Sequence, residues 1–136
     1  MAAQTVIQEK LATGLGAISD FLARAEGALK PLKFSKEESF KIKLALEEAL
    51  TNAMRHGNKL KPELFVDVAV FVEPSGLVLE VKDQGLGFAA EHLPDPTTKE
   101  NKDRPHGRGV YLMKSLMDEV TFQEGGSKVR MVKYLR

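Results

Sequence analysis

The chain has 136 residues and a formal net charge of +1, with 20 Lys+Arg against 19 Asp+Glu. A length of this order suits one domain with its own core, and 43% hydrophobic with 29% charged residues excludes wholesale disorder. The absence of cysteine rules out disulfides, thiolate zinc sites and cysteine nucleophiles, and the even charge balance draws the chain to neither nucleic acid nor an anionic membrane.

The predicted elements begin weakly. Gln4–Gln8 reads as a short strand. Leu11, Leu15, Ile18, Leu22, Ala25 and Leu29 recur in steps of three and four, which predicts a helix with one apolar face. Pro31 ends it, because the proline ring disfavours helical angles at the preceding residue. Gly14, Gly16 and Gly27 weaken it, so packing must hold it together. Ser35 followed by Glu38 is a capping box opening a second helix. That helix carries the stripe Ile42, Leu46, Ala49, Leu50, Ala53, and Gly57-Asn58 is a fitting stop. Leu64–Val72 reads as a buried strand, Glu73–Gly76 as a turn, and Leu77–Lys82 as a strand alternating Leu79 and Val81 with Glu80 and Lys82. Gly85–Gly109 has three prolines and many charges, and reads as a long loop, a feature usually functional or disordered in a compact domain. Gly109–Met117 resumes as a helix. Val120–Glu124 and Lys128–Leu135 form a last hairpin around Gly125-Gly126. This order implies an α+β protein, a two-layer sandwich with a mostly antiparallel sheet and helices on one face.

Three groups of residues could carry chemistry. Glu48 and Asn52 lie at i and i+4, so they project to the same side of the second helix. Asparagine is a poor helix-interior residue, and its amide oxygen is a hard ligand suited to Mg²⁺. A carboxylate one turn away could take a proton from an attacking hydroxyl or water. The plain alternative is a solvated helix face. Asp83-Gln84-Gly85-Leu86-Gly87-Phe88 follows a strand directly. Its glycines allow close backbone approach to a ligand, and Asp83 could accept a hydrogen bond from an exocyclic amine such as that of adenine. The alternative is an ordinary strand-exit turn. Gly107-Arg108-Gly109 stands at a helix start, where free N–H groups and the dipole favour phosphates. By itself it is neither a Rossmann fingerprint nor a P-loop, and it also fits a flexible loop. His56 sits at a helix end, where it complements the dipole, though it could also contact a nucleotide. His92 and His106 have no zinc-binding spacing. Met54, Met113 and Met117 suit core packing or pocket lining.

Taken together, the three groups are far more specific. Glu48-Ala49-x-Thr51-Asn52-Ala53-x-x-His56-Gly57-Asn58, then Asp83-x-Gly85-x-Gly87-Phe88, then Gly107-Arg108-Gly109-x-x-Leu112 and Met117-Asp118-Glu119-Val120 follow in order. This pattern resembles the anti-sigma-factor serine/threonine kinases of the GHKL superfamily, which share the Bergerat ATP-binding fold. The resemblance implies that Asn52 coordinates Mg²⁺ at the ATP phosphates and that Glu48 is the general base for a serine or threonine hydroxyl. It implies that Asp83 binds the adenine amine, with Gly85 and Gly87 shaping the pocket. Gly107, Arg108 and Gly109 would hold phosphates, and residues 89–106 would form an ATP lid. Lys99, Lys102, Arg104 and Arg108 could offer charge to the γ-phosphate, with Arg104 and Arg108 favoured by their closeness to the glycines.

The expected protein is therefore a single ATP-binding kinase domain over residues 1–136, cytoplasmic because no apolar run nears the ~20 residues of a membrane span and no signal-peptide pattern is present. Its implied partners are an anti-sigma-factor antagonist of the STAS type and a sigma factor, with no direct nucleic-acid or membrane contact. Related kinases often form homodimers. The alternative is an ATP-binding regulatory switch that binds partners without phosphoryl transfer.

Overall fold

The computed structural model describes residues 4–85 and 105–135. Strand β1 (Gln4–Ala12) is followed by helix α1 (Leu15–Leu29) and helix α2 (Lys36–Asn52), then by strands β2 (Phe65–Glu73) and β3 (Gly76–Lys82). Helix α3 (Pro105–Leu116) and strands β4 (Glu119–Gln123) and β5 (Lys128–Lys133) complete the chain. All strand pairings are antiparallel, in the order β1-β2-β3-β5-β4. This is the two-layer α+β sandwich that the element order implies. Among the described residues no helix is long and apolar enough to cross a membrane.

The core lies between the sheet and the helices. Val66, Val68 and Val70 of β2 meet Leu77, Leu79 and Val81 of β3 on one face of the sheet. Val129 and Met131 of β5 extend that face. Phe21 and Leu22 of α1 and Ile42, Leu46 and Leu50 of α2 belong to the same buried cluster. Each such side chain contributes ~1.5–3 kcal/mol by leaving water. The opposite face is mixed, with Val78 and Val132 buried beside charged residues. There Arg130 donates to Glu73 at 2.7 Å and to Glu80 at 3.1 Å, while its guanidinium lies over the Phe71 ring. At the β2–β3 turn Gly76 has φ +141, and a Cβ there would stand 2.4 Å from the Lys133 carbonyl oxygen, so glycine is required.

Several local expectations hold. Ser35 and Glu38 form the capping box, with Glu38 N–H donating to Ser35 Oγ and Ser35 N–H to Glu38 Oε1. All five residues of the α2 stripe are buried. Three expectations differ. The first strand runs to Ala12, so Leu11 pairs with Val66 in the sheet rather than joining α1. The four-residue step from Leu11 to Leu15 mimics a helical turn but spans a strand–helix junction, and Leu15 is exposed. The β2 strand is buried on one face only, since its residues alternate between core and solvent. Finally, α3 begins at Pro105 rather than Gly109. Proline suits a first helical turn because its missing N–H has no intrahelical partner there. The rest of the long segment, residues 86–104, lies outside the described residues.

Candidate functional site

Helix α2 does not stop cleanly at Asn52. It continues through a π-helical turn over Ala53–Gly57, closed by Asn58 N–H donating to the Ala53 carbonyl at 2.7 Å. Such turns hold one residue more than an α-turn and often occur at functional sites. Here the turn sets Asn52, His56 and Gly57 along one cleft. Asp83 enters the cleft from the end of β3, Met113 from α3, and Ser127 from the β4–β5 connection. Asn52 and Asp83, thirty-one positions apart in sequence, thus line one cavity.

Two glycines make this closeness possible. A Cβ on Gly57 would lie 2.3 Å from the Asp83 carboxyl carbon. A Cβ on Gly85 would lie 1.9 Å from the Gly57 carbonyl oxygen. The π turn and the β3 exit are therefore in backbone contact, so the close approach at Gly85 is to Gly57 of the same chain. Asp83 itself is buried. Its Oδ1 accepts the Gly85 N–H at 2.8 Å, and its backbone N–H donates to the Ser127 carbonyl at 2.9 Å. Its second carboxylate oxygen takes no hydrogen bond among the described residues, which leaves it able to accept one from a ligand.

Burial pushes the Asp83 carboxyl above the ordinary aspartate range, opposed in part by the Gly85 N–H. The stability that Asp83 contributes is thus fully present below the ordinary value and is lost as pH rises through the raised folded value. At neutral pH the ionised group therefore supports the fold less than the protonated group would. Asp83→Asn keeps an oxygen for the Gly85 N–H and removes the charge. We expect it to melt at a higher temperature than the parent at pH 7, with the difference shrinking toward pH 4. Thermal melts without nucleotide across that range check this, and an unchanged or lower melting temperature at pH 7 would refute it.

Glu48 stands one turn before Asn52 and is partly exposed. It is not among the residues lining the cleft. Burial, reinforced by the like charge of Glu47, raises its carboxyl above the ordinary glutamate range. A raised value brings a carboxylate closer to the pH at which a general base works best. Asn52 is half-buried, and its amide has no hydrogen-bond partner among the described residues. His56, for which a helix-end role is the simpler expectation, lines the cleft as well.

These groups fit a magnesium nucleotide. An amide oxygen is a hard ligand, and Mg²⁺ commonly takes one or two protein ligands with the remainder from phosphates and water. No cluster of three or more His, Cys, Asp or Glu suited to a metal occurs among the described residues. Gly107 and Arg108 fall in the first turn of α3, and Gly109 lies one residue beyond it. Helix α3 packs against α2. Gly87 and Arg104 lie outside the described residues, as does the expected lid apart from Pro105 and His106 at the opening of α3.

Sequence patterns passed over some of the site. Phe122 and Ser127 line the cleft from the last hairpin, whose glycines read only as a turn. Met113 does line it, one of the two roles its spacing allowed. Asn58, which reads as a helix stop, is fully buried and hydrogen-bonded on every side.

Residues 11–133 match the family described as the histidine kinase-like ATPase domain. The chain is 35% identical over 102 residues to the serine-protein kinase RsbW of Staphylococcus epidermidis, covering 69% of this chain and 64% of the relative. It therefore spans a little under two thirds of that relative's length. It is 35% identical over 105 residues to the anti-sigma F factor of Bacillus cytotoxicus, covering 73% of this chain and 71% of the relative. The anti-sigma F factor of a Geobacillus species is 36% identical over the same shares.

Proposed function

The chain belongs to the histidine kinase-like ATPase family, in the branch of the anti-sigma F factors and the serine-protein kinase RsbW, and on that premise we propose that it is an ATP-dependent protein serine/threonine kinase. Its protein substrate is an anti-sigma-factor antagonist of the STAS type, and its second partner is a sigma factor that it sequesters. The observation that carries this reading is the meeting of Asn52 and Asp83 in one cleft, with Glu48 one turn before Asn52 on the same helix.

Bound Mg²⁺·ATP supplies the phosphoryl group and the metal charge that offsets its negative oxygens. The Asn52 amide oxygen holds the metal. The Asp83 carboxylate accepts the adenine amine, while Gly57 and Gly85 keep the wall behind it thin enough for that approach. Gly87 completes the adenine pocket. Backbone N–H groups around Gly107, Arg108 and Gly109 hold the phosphates, and Arg104 and Arg108 add positive charge at the γ-phosphate. Glu48 accepts the proton of the acceptor serine or threonine as its oxygen bonds to the phosphorus. ADP leaves with the bond between the β- and γ-phosphates broken, so positioning and charge do most of the catalytic work.

The test uses the purified chain, magnesium, γ-labelled ATP and a panel of purified STAS domains from the source organism. Label on a serine or threonine of one domain is the expected result. ATP binding without label on any of them would leave a switch that does not transfer. In the same preparation Asn52→Ala should weaken ATP affinity by roughly tenfold or more in magnesium, and far less in excess chelator. Equal affinity for parent and variant in magnesium would remove Asn52 from the metal.

A further inference from the structure

Asn58 lies behind the cleft wall, outside the set of residues that face the cavity. Its side chain is fully buried and joins three separate segments. Nδ2 donates to Thr13 Oγ1 at 2.9 Å, at the junction of β1 and α1. Nδ2 also donates to the Phe65 carbonyl at 3.1 Å, at the start of β2. Oδ1 accepts the backbone N–H of Gln84 at 2.8 Å, immediately after Asp83. Gln84 then returns to β2, its Oε1 accepting the Phe65 N–H at 2.5 Å.

The pattern demands an amide. Thr13 spends its hydroxyl proton on the Leu64 carbonyl at 2.8 Å, so toward Asn58 its oxygen can only accept. The Phe65 carbonyl can only accept, and the Gln84 N–H can only donate. Two donors and one acceptor on one short side chain describe asparagine. Aspartate would set oxygens against two acceptors and add a buried charge. A helix stop alone requires none of this.

The Gln84 N–H is the group next along the chain from the carboxylate assigned to the base. Asp83 is therefore held from two sides: Gly85 N–H binds its Oδ1, and Asn58 fixes the peptide between them. We propose that Asn58 is a positioning residue for base recognition, its amide fixing the Asp83-Gln84-Gly85 turn so that Asp83 meets an exocyclic amine and the site selects adenine over guanine. Guanine carries a carbonyl oxygen where adenine carries the amine, so a fixed carboxylate repels it and a mobile one need not. The inference rests on the reading of Asp83 as the adenine contact.

The readout is the ratio of GTP to ATP dissociation constants, measured by calorimetry below each variant's own melting transition. Asn58→Ala should lower that ratio by about tenfold or more, the worth of a well-placed hydrogen bond to a charged group. Thr13→Val, which removes one anchor of the amide and lies away from the cavity, should lower it less in the same direction and decides the matter if Asn58→Ala does not fold. In the Asp83→Asn background, Asn58→Ala should leave the ratio where Asp83→Asn alone puts it, because the two act through one contact. A merely structural Asn58 would weaken both nucleotides equally and keep the ratio, which overturns the inference. A parent protein that binds ATP and GTP alike, or neither, would instead sink the Asp83 reading before any variant is made.

Discussion

Glu48→Gln is expected to leave a folded protein that binds ATP near the parent's affinity and transfers phosphate roughly 10²–10⁴-fold more slowly, the range for loss of a general base. The amide matches the carboxylate in size, and Glu48 makes no hydrogen bond among the described residues that the change would break. It also removes a charge that burial and Glu47 both disfavour, so the substitution does not threaten the fold at neutral pH. A second signature follows from the raised Glu48 carboxyl. In the parent, transfer should fall as pH drops through a value above the ordinary glutamate range, because the protonated acid cannot accept the hydroxyl proton. That limb should be missing from the residual rate of the variant. Single-turnover transfer to the antagonist, measured beside ATP binding, separates the two effects. Transfer at the parental rate would mean that another group, or the substrate itself, removes the proton.

Local signals in the sequence were strong where one element alone decides the outcome. The Ser35–Glu38 capping box is a contact between neighbours in the chain, and Ile42 to Ala53 repeat with the helical period. Glu48 and Asn52 need only a helix to share a side. The family resemblance read from the three motifs is borne out by the match over residues 11–133. Signals failed where distant elements decide. Leu11 follows a helical step to Leu15, yet its strand is fixed by pairing with Val66, which no local pattern contains. Asn58 resembles any polar helix stop because its partners come from positions 13, 65 and 84. Helix α3 begins four residues before the expected Gly109, because Pro105 and Gly107 read as loop residues although a first turn tolerates both. The contact of Gly57 with Asp83 is invisible in sequence for the same reason: it exists only after β3 returns beside the π turn.

The backbone contact between Gly85 and Gly57 carries the other large expected effect. Gly85→Ala should destabilise the fold and abolish measurable ATP binding. The new methyl would stand 1.9 Å from the Gly57 carbonyl oxygen and 2.6 Å from its carbon, both backbone atoms that no rotamer change can move. Overpacking of this kind costs about 1–3 kcal/mol, occasionally more. Relief comes only by separating the π turn from the β3 exit, which pulls Asn52 and Asp83 apart. Gly57→Ala makes a different clash. Its methyl would meet the Asp83 carboxyl, a side chain that can turn aside, so the loss should fall on nucleotide binding more than on stability. Gly27→Ala in α1 is the control, since nothing lies within 4 Å of its Cβ position. There the gain in helix propensity should stabilise by roughly 0.5–1 kcal/mol. Denaturant unfolding and ATP titration of the three variants check the ordering. Parental stability and ATP affinity in Gly85→Ala would show that the π turn and the β3 exit can part without cost, and the nucleotide cleft would then have to be held together by contacts other than this one.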